Sequence, residues 1–477
     1  MDDIPKTKEP AGPSGLPIAN GLLLVVVGFV LSRLYVWWLG VRFETSALEW
    51  YWQVLDPQLL SDRLAESVFY LHAQPPLFNL ALGAGLKLAG ANSQAFFQLV
   101  FLALGLALAV VIYLLLIRFG LSQLIAAVLV LLYATSPNWL MYEWWLFYDF
   151  PNAAALVMAG FALVQYARGP STSWLVVYFA IACAVVLTRS LFHPVWFLGC
   201  IVLVMAAERR RWRTVAAISL VPLLVILAVA AKNQAVFGFF GSSSWLGMSL
   251  ARATTGRLAP PEREAMVRQG RLSKVALVPP FSPVESYESV GVEVTDCGIP
   301  ALGWRLRSTG APNFNHLAFV DVSSSYLTDA LTVMSDRPGL YLDSVAGAAG
   351  RFFWSPVNYP PFRDNLVATA STYRLFESTV NLPPVAFMLG LLAFSYGGLR
   401  AWRRVRGRGS PMDLFFVWSV CTISWVFVVS SLLEYGENFR FRFAVEPLAF
   451  LILSAILADL LRGNLFNVQH GRQSMER

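Results

Sequence analysis

The sequence predicts an all-α polytopic membrane protein: about ten transmembrane helices, juxtamembrane helices in the first outer loop, and one large outer-face insert. Two observations carry that prediction. The 477 residues are 57% hydrophobic and only 14% charged, far from the balance of a soluble globular chain. The cations then gather in short clusters between long apolar runs, and the arginine-rich clusters fix an orientation.

Applying the length of a spanning helix in order, candidates fall near 19–41, 94–117, 121–138, 150–167, 174–190, 194–208, 213–231, 379–399, 412–433 and 441–461. Before them, residues 1–18 read as a disordered cytoplasmic lead carrying Lys6 and Lys8. The apolar run that follows is too long for a removable signal and reads as the first anchor. The clusters Arg209-Arg210-Arg211 with Arg213, and Arg400, Arg403, Arg404, Arg406 and Arg408, belong on the cytoplasmic side by the positive-inside rule. Counting the short apolar stretch 75–90 as a juxtamembrane helix, not a span, makes every basic cluster cytoplasmic. Both termini are then inside, including the tail 462–477.

On this scheme residues 19–231 form an N-terminal transmembrane module with outer loops 42–93 and 139–150. Residues 232–378 form the outer insert, and 379–461 the C-terminal helices. The insert opens with KNQAVFGFFGSSSWLG, where small residues and aromatics at a membrane exit suggest a loop closing over something. Its later part, DRPGLYLDSVAGAAGRFFW, reads as an amphipathic surface helix. A near-even balance of charge in the insert gives no nucleic-acid signal, despite a net +7 for the chain. The four cysteines offer neither a disulfide framework nor a zinc pattern, and there is no Walker loop, Rossmann glycine fingerprint or HExxH motif.

The stretch DPQLLSDRLAESVFYLHAQPPLFN, Asp56 to Asn79, is acidic and polar between apolar segments, and Pro75-Pro76 stops any helix before it. Asp56 precedes Pro57, so a helix N-cap competes with chemistry there. In the second loop, YEWWLFYDFPN, Glu143 and Asp149 sit among aromatics. As a pair they could hold a divalent cation, Mg²⁺ or Mn²⁺, or flank a phosphate-linked sugar, against the plainer reading of an aromatic belt with two solvated acids. Arg189 and His193 mark the outer boundary between two spans. Arg440 and Arg442, with Glu434, Glu437 and Glu446, form a dense charged loop in which mutual ion pairing is the plain alternative. A guanidinium from either place suits a phosphate because its fork matches phosphate oxygens.

The string YLHAQPPLFNLALG, with His72, Pro75, Pro76 and Leu77, resembles the H-x-x-PPL or HPPL signature of GT-C glycosyltransferases, particularly the protein O-mannosyltransferase-like and bacterial lipopolysaccharide-core-type branches. The resemblance covers residues 40–165 and is architectural beyond them. It implies a multi-pass protein of the cell membrane, of a bacterial inner membrane in those branches, with its active site on the outer face. It also implies a polyprenyl-phosphate-sugar donor, a lipid, glycan or protein acceptor, and an acid of the first outer loop as base. By position that acid is Asp56, with Glu44 and Asp62 as competitors, while His72, Glu143, Asp149, Arg189, His193, Arg440 and Arg442 are the candidate substrate-binding residues. Two departures stand out: the family's paired acids after the first span are absent, and Gln94 and Gln98 occupy the start of the second span where many relatives carry arginine. A transporter or flippase of lipid-linked glycans is the alternative reading. It would be expected to show a repeat or mid-span charges, whereas the polar residues here gather on one face.

Overall fold

The computed structural model describes residues 18–406 and 409–463. The expected N-terminal lead with Lys6 and Lys8, Arg408 of the second basic cluster, and the tail beyond Gly463 lie outside these residues. Among the described residues the chain is helical throughout, with two isolated β-bridges and no sheet.

Each expected span coincides with a helix. Ala19–Trp38, Pro76–Phe119, Asp149–Arg168, Arg209–Phe237, Pro383–Val405, Asp413–Leu433 and Asn438–Leu461 are the seven that are long and apolar enough to cross a membrane. Gln123–Ala134 and Pro137–Glu143 would make an eighth, broken by a 61° bend. That bend has a local cause: Ser136 accepts from the Trp139 amide at 3.3 Å and Pro137 opens the second helix, so the chain restarts instead of continuing. Thr172–Thr188 and Pro194–Ala207 are shorter, 17 and 14 residues, so two of the ten expected spans fall below the usual length. The chain is a multi-pass integral membrane protein.

Asp149–Arg168 is the hub. It packs on Thr172–Thr188, on Ser93–Phe119 and on the last two helices, Asp413–Leu433 and Asn438–Leu461, and its small residues allow close approach: a methyl at Gly160 would sit 2.8 Å from the Phe415 ring. The expected juxtamembrane helix forms as Pro76–Ala89, with Pro75 preceding it, and a positive φ of 53° at Gly90 turns the chain before Ser93–Phe119 begins. It packs on two short helices of the same loop, Pro57–Asp62 and Leu64–Phe69.

Hydrogen bonds tie the two loops and the insert to one another. Glu44 N–H donates to the Trp144 carbonyl at 2.8 Å and its own carbonyl accepts from Leu146 at 2.9 Å, zipping the first loop to the second. From the insert, Arg307 donates to the carbonyls of Glu49 and Val54, at 2.6 and 3.1 Å. Within the insert Leu246–Ala253 packs on Ala318–Asp336, and glycine is required at the crossing, because a Cβ at Gly247 would lie 1.7 Å from the Ser323 carbonyl oxygen. The expected surface helix is present as Pro338–Arg351 and packs against Asp413–Leu433.

Candidate functional site

Where these segments meet they enclose a cavity of about 840 Å³. Its walls come from Trp50–Gln53 of the first loop, Arg189 and His193, the 237–247 loop, the start of Ala318–Asp336, Tyr359, and the stretch 434–441. The sequence signal at GFFGSSSWLG is thus realised as a wall of this space.

One side of the cavity is charged. Arg189 lies just beyond Thr172–Thr188 and donates Nη1 to Asp149 Oδ1. Arg440, in the first turn of Asn438–Leu461, places Nε 3.4 Å from Asp149 Oδ2 and Nη1 3.0 Å from Glu437 and 3.1 Å from the Tyr359 hydroxyl. Asp149 therefore bridges two arginines, both of which face the cavity. The Arg189 guanidinium lies over the Phe441 ring at 4.4 Å and near Tyr148 at 5.0 Å, which orients its plane. Arg189 is 2% exposed, and its Nη2 has no hydrogen-bond partner among the described residues. A buried guanidinium N–H without an acceptor is costly, and an anionic oxygen in the cavity would satisfy it.

A second ion pair lies on the same cavity: Arg252 Nη1 donates to Glu434 Oε1 at 2.8 Å. Burial pushes the Glu434 carboxyl above its usual range, against the opposing pull of Arg252. Burial likewise pushes the Tyr359 phenol up to about 12, leaving it a neutral hydroxyl that accepts from Arg440.

The residues singled out from the sequence divide sharply. Arg189, His193 and Arg440 line the cavity, and Asp149 stands directly behind the two arginines. His193 also caps Pro194–Ala207, its Nδ1 accepting from Val195 at 3.3 Å, and burial lowers its pKa, so the neutral acceptor form is favoured.

Asp56, Glu143, His72 and Arg442 are not among the lining residues. Asp56 is an N-cap: Oδ1 accepts from Gln58 and Leu59 at 2.8 and 3.0 Å and from the Ser308 hydroxyl at 3.0 Å, while Oδ2 accepts from the Ser308 amide. The capping role that competed with catalysis is the one these contacts describe. Glu143 is buried against Arg33, at 2.6 and 2.9 Å, inside the helix bundle. Arg442 donates to the Phe353 carbonyl at 3.2 Å and lies 3.5 Å from Glu446.

His72 is fully buried at a three-way junction. Its Nδ1 is 2.8 Å from the Ser244 hydroxyl and its Nε2 3.0 Å from the Asn315 carbonyl, while its own carbonyl accepts from the Ser244 amide at 2.9 Å. Burial lowers the imidazole to about 3, so the ring is neutral. It fastens the 237–247 loop to the first loop and to Asn315 further along the insert, behind the cavity.

The expected cation pair, Glu143 and Asp149, is split, Glu143 pairing with Arg33 and Asp149 with Arg189 and Arg440, so these carboxylates do not fit a shared metal. Among the described residues no three His, Cys, Asp or Glu side chains converge as a ligand set. Arg33, Arg252 and Tyr359 were not singled out. Arg33 had a readable signal, a lone charge inside an apolar span. Arg252 and Tyr359 lie in the insert with no local motif around them.

The fold and cavity define the chain as an all-α, multi-pass membrane protein with a charged cavity between its loops and insert. No protein-family model and no curated protein matches the sequence. Two structures of the Archaeoglobus fulgidus oligosaccharyltransferase are similar to it. One, tethered by a disulfide to an acceptor peptide containing the NVT sequon, is 13% identical, with 93% of this chain and 50% of that chain covered and a TM-score of 0.41. The other, a complex with Zn and sulfate, is 14% identical over the same shares, with a TM-score of 0.36. The chain spans about half the length of either.

Proposed function

We propose that this protein is a membrane glycosyltransferase of GT-C type that moves a sugar from a polyprenyl-phosphate donor to an acceptor hydroxyl on the outer face of the membrane. The observation that carries the reading is the pair Arg189 and Arg440, which both line the cavity and are both held by Asp149, with Arg189 Nη2 buried and without a partner among the described residues. Two guanidinium groups held by one carboxylate, stacked on aromatics, form a preorganised cradle for one phosphate. The HAQPP motif adds support, since its histidine fastens a wall of the same cavity.

In the reaction, the acceptor oxygen attacks the anomeric carbon from the face opposite the phosphate. The bond from that carbon to the phosphate oxygen breaks, and its electron pair leaves with the lipid phosphate, so the configuration inverts. Arg189 and Arg440 stabilise the charge that builds on the leaving group. The hydroxyl proton passes to a carboxylate. Glu434 suits that role better than Asp56: it lines the cavity, its pKa is raised, and its ion pair is separate from the phosphate cradle. No step requires a metal from these residues.

Arg189→Lys tests the cradle because it keeps the charge and the bond to Asp149 but removes the fork. Transfer by folded, purified protein is expected to fall by roughly 10- to 100-fold, the value of one or two charge-assisted hydrogen bonds. Unchanged turnover and unchanged donor KM would remove Arg189 from the site.

A further inference from the structure

The opposite side of the cavity is built differently, and we infer that it is a saccharide subsite: the acceptor is a glycan whose ring stacks on Trp50 and Trp52. This rests on the glycosyltransferase reading and names its acceptor class. The residues of Trp50-Tyr51-Trp52 diverge. All three line the cavity, but the Tyr51 ring packs on Phe147 at 5.0 Å and Trp145 at 5.4 Å, whereas Trp50 and Trp52 are 59% and 39% exposed.

Trp52 is backed by aromatic rings of the insert, Phe281 in parallel at 4.9 Å and Phe314 at 4.9 Å. Phe281 is held at φ 63°, a conformation that bulky side chains adopt at a cost of roughly 1–3 kcal/mol, so the surrounding packing fixes the platform. The electron-rich face of an indole attracts the weakly positive axial C–H groups of a pyranose. Hydroxyl, amide and carboxylate groups share the cavity: Gln53, Ser249, and Asp321 with Ser324, which lie three apart on one face of Ala318–Asp336. Sugar hydroxyls both donate and accept, and this set offers both functions.

The plain alternative for exposed tryptophans is a membrane-interface belt. Trp37 and Trp38, at the end of Ala19–Trp38, have that character, while Trp50 and Trp52 line a half-open cavity shared with polar side chains. A peptide acceptor is favoured less, because extended peptides are commonly held by a free strand edge and the described residues contain no sheet.

Binding can be read without any donor. Purified full-length protein in nanodiscs is applied to a surface carrying immobilised cell-envelope polysaccharides, defined oligosaccharides and Ser/Thr-rich peptides. Saccharide binding is expected, falling roughly three- to tenfold per ring in Trp50→Ala and Trp52→Ala and staying close to wild type in Trp52→Phe. Binding to peptides alone, no retention on any saccharide, or equal retention by folded Trp50→Ala and Trp52→Ala would overturn the assignment. A failed donor site shows up separately, as unchanged turnover in Arg189→Lys.

Discussion

Two carboxylates carry the argument at the scale of single residues. Asp56 sits in a short loop before proline, and its capping role was visible in that dipeptide, but its second partner, Ser308, lies 252 residues away and no local pattern announces it. Glu434 was visible only as one acid in a charged loop; that it meets Arg252 across 182 residues is a fact of folding. The two make opposite predictions. Asp56→Asn should keep turnover per folded molecule within roughly twofold while lowering thermal stability by about 1 kcal/mol through the weakened contact to Ser308. Glu434→Gln should fold normally and lose roughly 100-fold or more in turnover, the usual contribution of a general base. The base works only when ionised, so kcat/KM should drop as pH falls through the raised Glu434 pKa, and this acid limb should vanish from the residual activity of Glu434→Gln. A normal profile in that variant would return the role to another acid.

Among the elements, the 237–247 loop is the one the sequence described best, from its glycines and aromatics, and the one whose fastening it could not show. His72 supplies that fastening. Its imidazole stays neutral in the fold, about 3 against an ordinary 6.5, so the unfolded chain binds the extra proton first. Stability is therefore expected to fall as pH drops from about 6.5 toward 3, and His72→Gln should flatten that slope while preserving an acceptor or donor for Ser244. His72→Ala should instead speed amide exchange across residues 239–244; unchanged exchange would separate the loop from the histidine. Ser93–Phe119 holds a second device. A methyl at Gly105 would lie 1.9 Å from Glu143 Oε1, so Gly105→Ala is expected to displace the carboxylate from Arg33 and destabilise the bundle by roughly 3–5 kcal/mol, seen as lower yield and melting temperature. Ordinary stability in that variant would mean the Arg33–Glu143 pair can shift at little cost. Nothing local marks this glycine, because its partner lies on a different helix.

At the scale of the whole molecule, hydrophobic run length located a helix at each of the ten expected spans, since apolar length is what a bilayer demands, but not the helices within the insert such as Ala318–Asp336. It did not anticipate that Thr172–Thr188 and Pro194–Ala207 would be short, nor the 61° break at Ser136-Pro137. The cavity was less legible than the helices: its charged side draws on residues 149, 189, 252, 434, 437 and 440, brought together only by the packing of four segments. Sidedness is our proposal from the arginine clusters, and cysteines at 62 and 300 should react with an impermeant reagent from outside while one at 405 should not. Labelling of 405 in intact cells would invert the arrangement. The most direct test of the central claim is to reconstitute the protein in liposomes with a radiolabelled polyprenyl-phosphate sugar and cell-envelope glycan, and to follow both halves of the donor. A glycosyltransferase releases one free polyprenyl phosphate for each sugar that appears in the glycan, and Glu434→Gln suppresses both. Donor that crosses the bilayer intact, with no phosphate released and no sugar transferred, would contradict the account and identify a transporter of lipid-linked sugars.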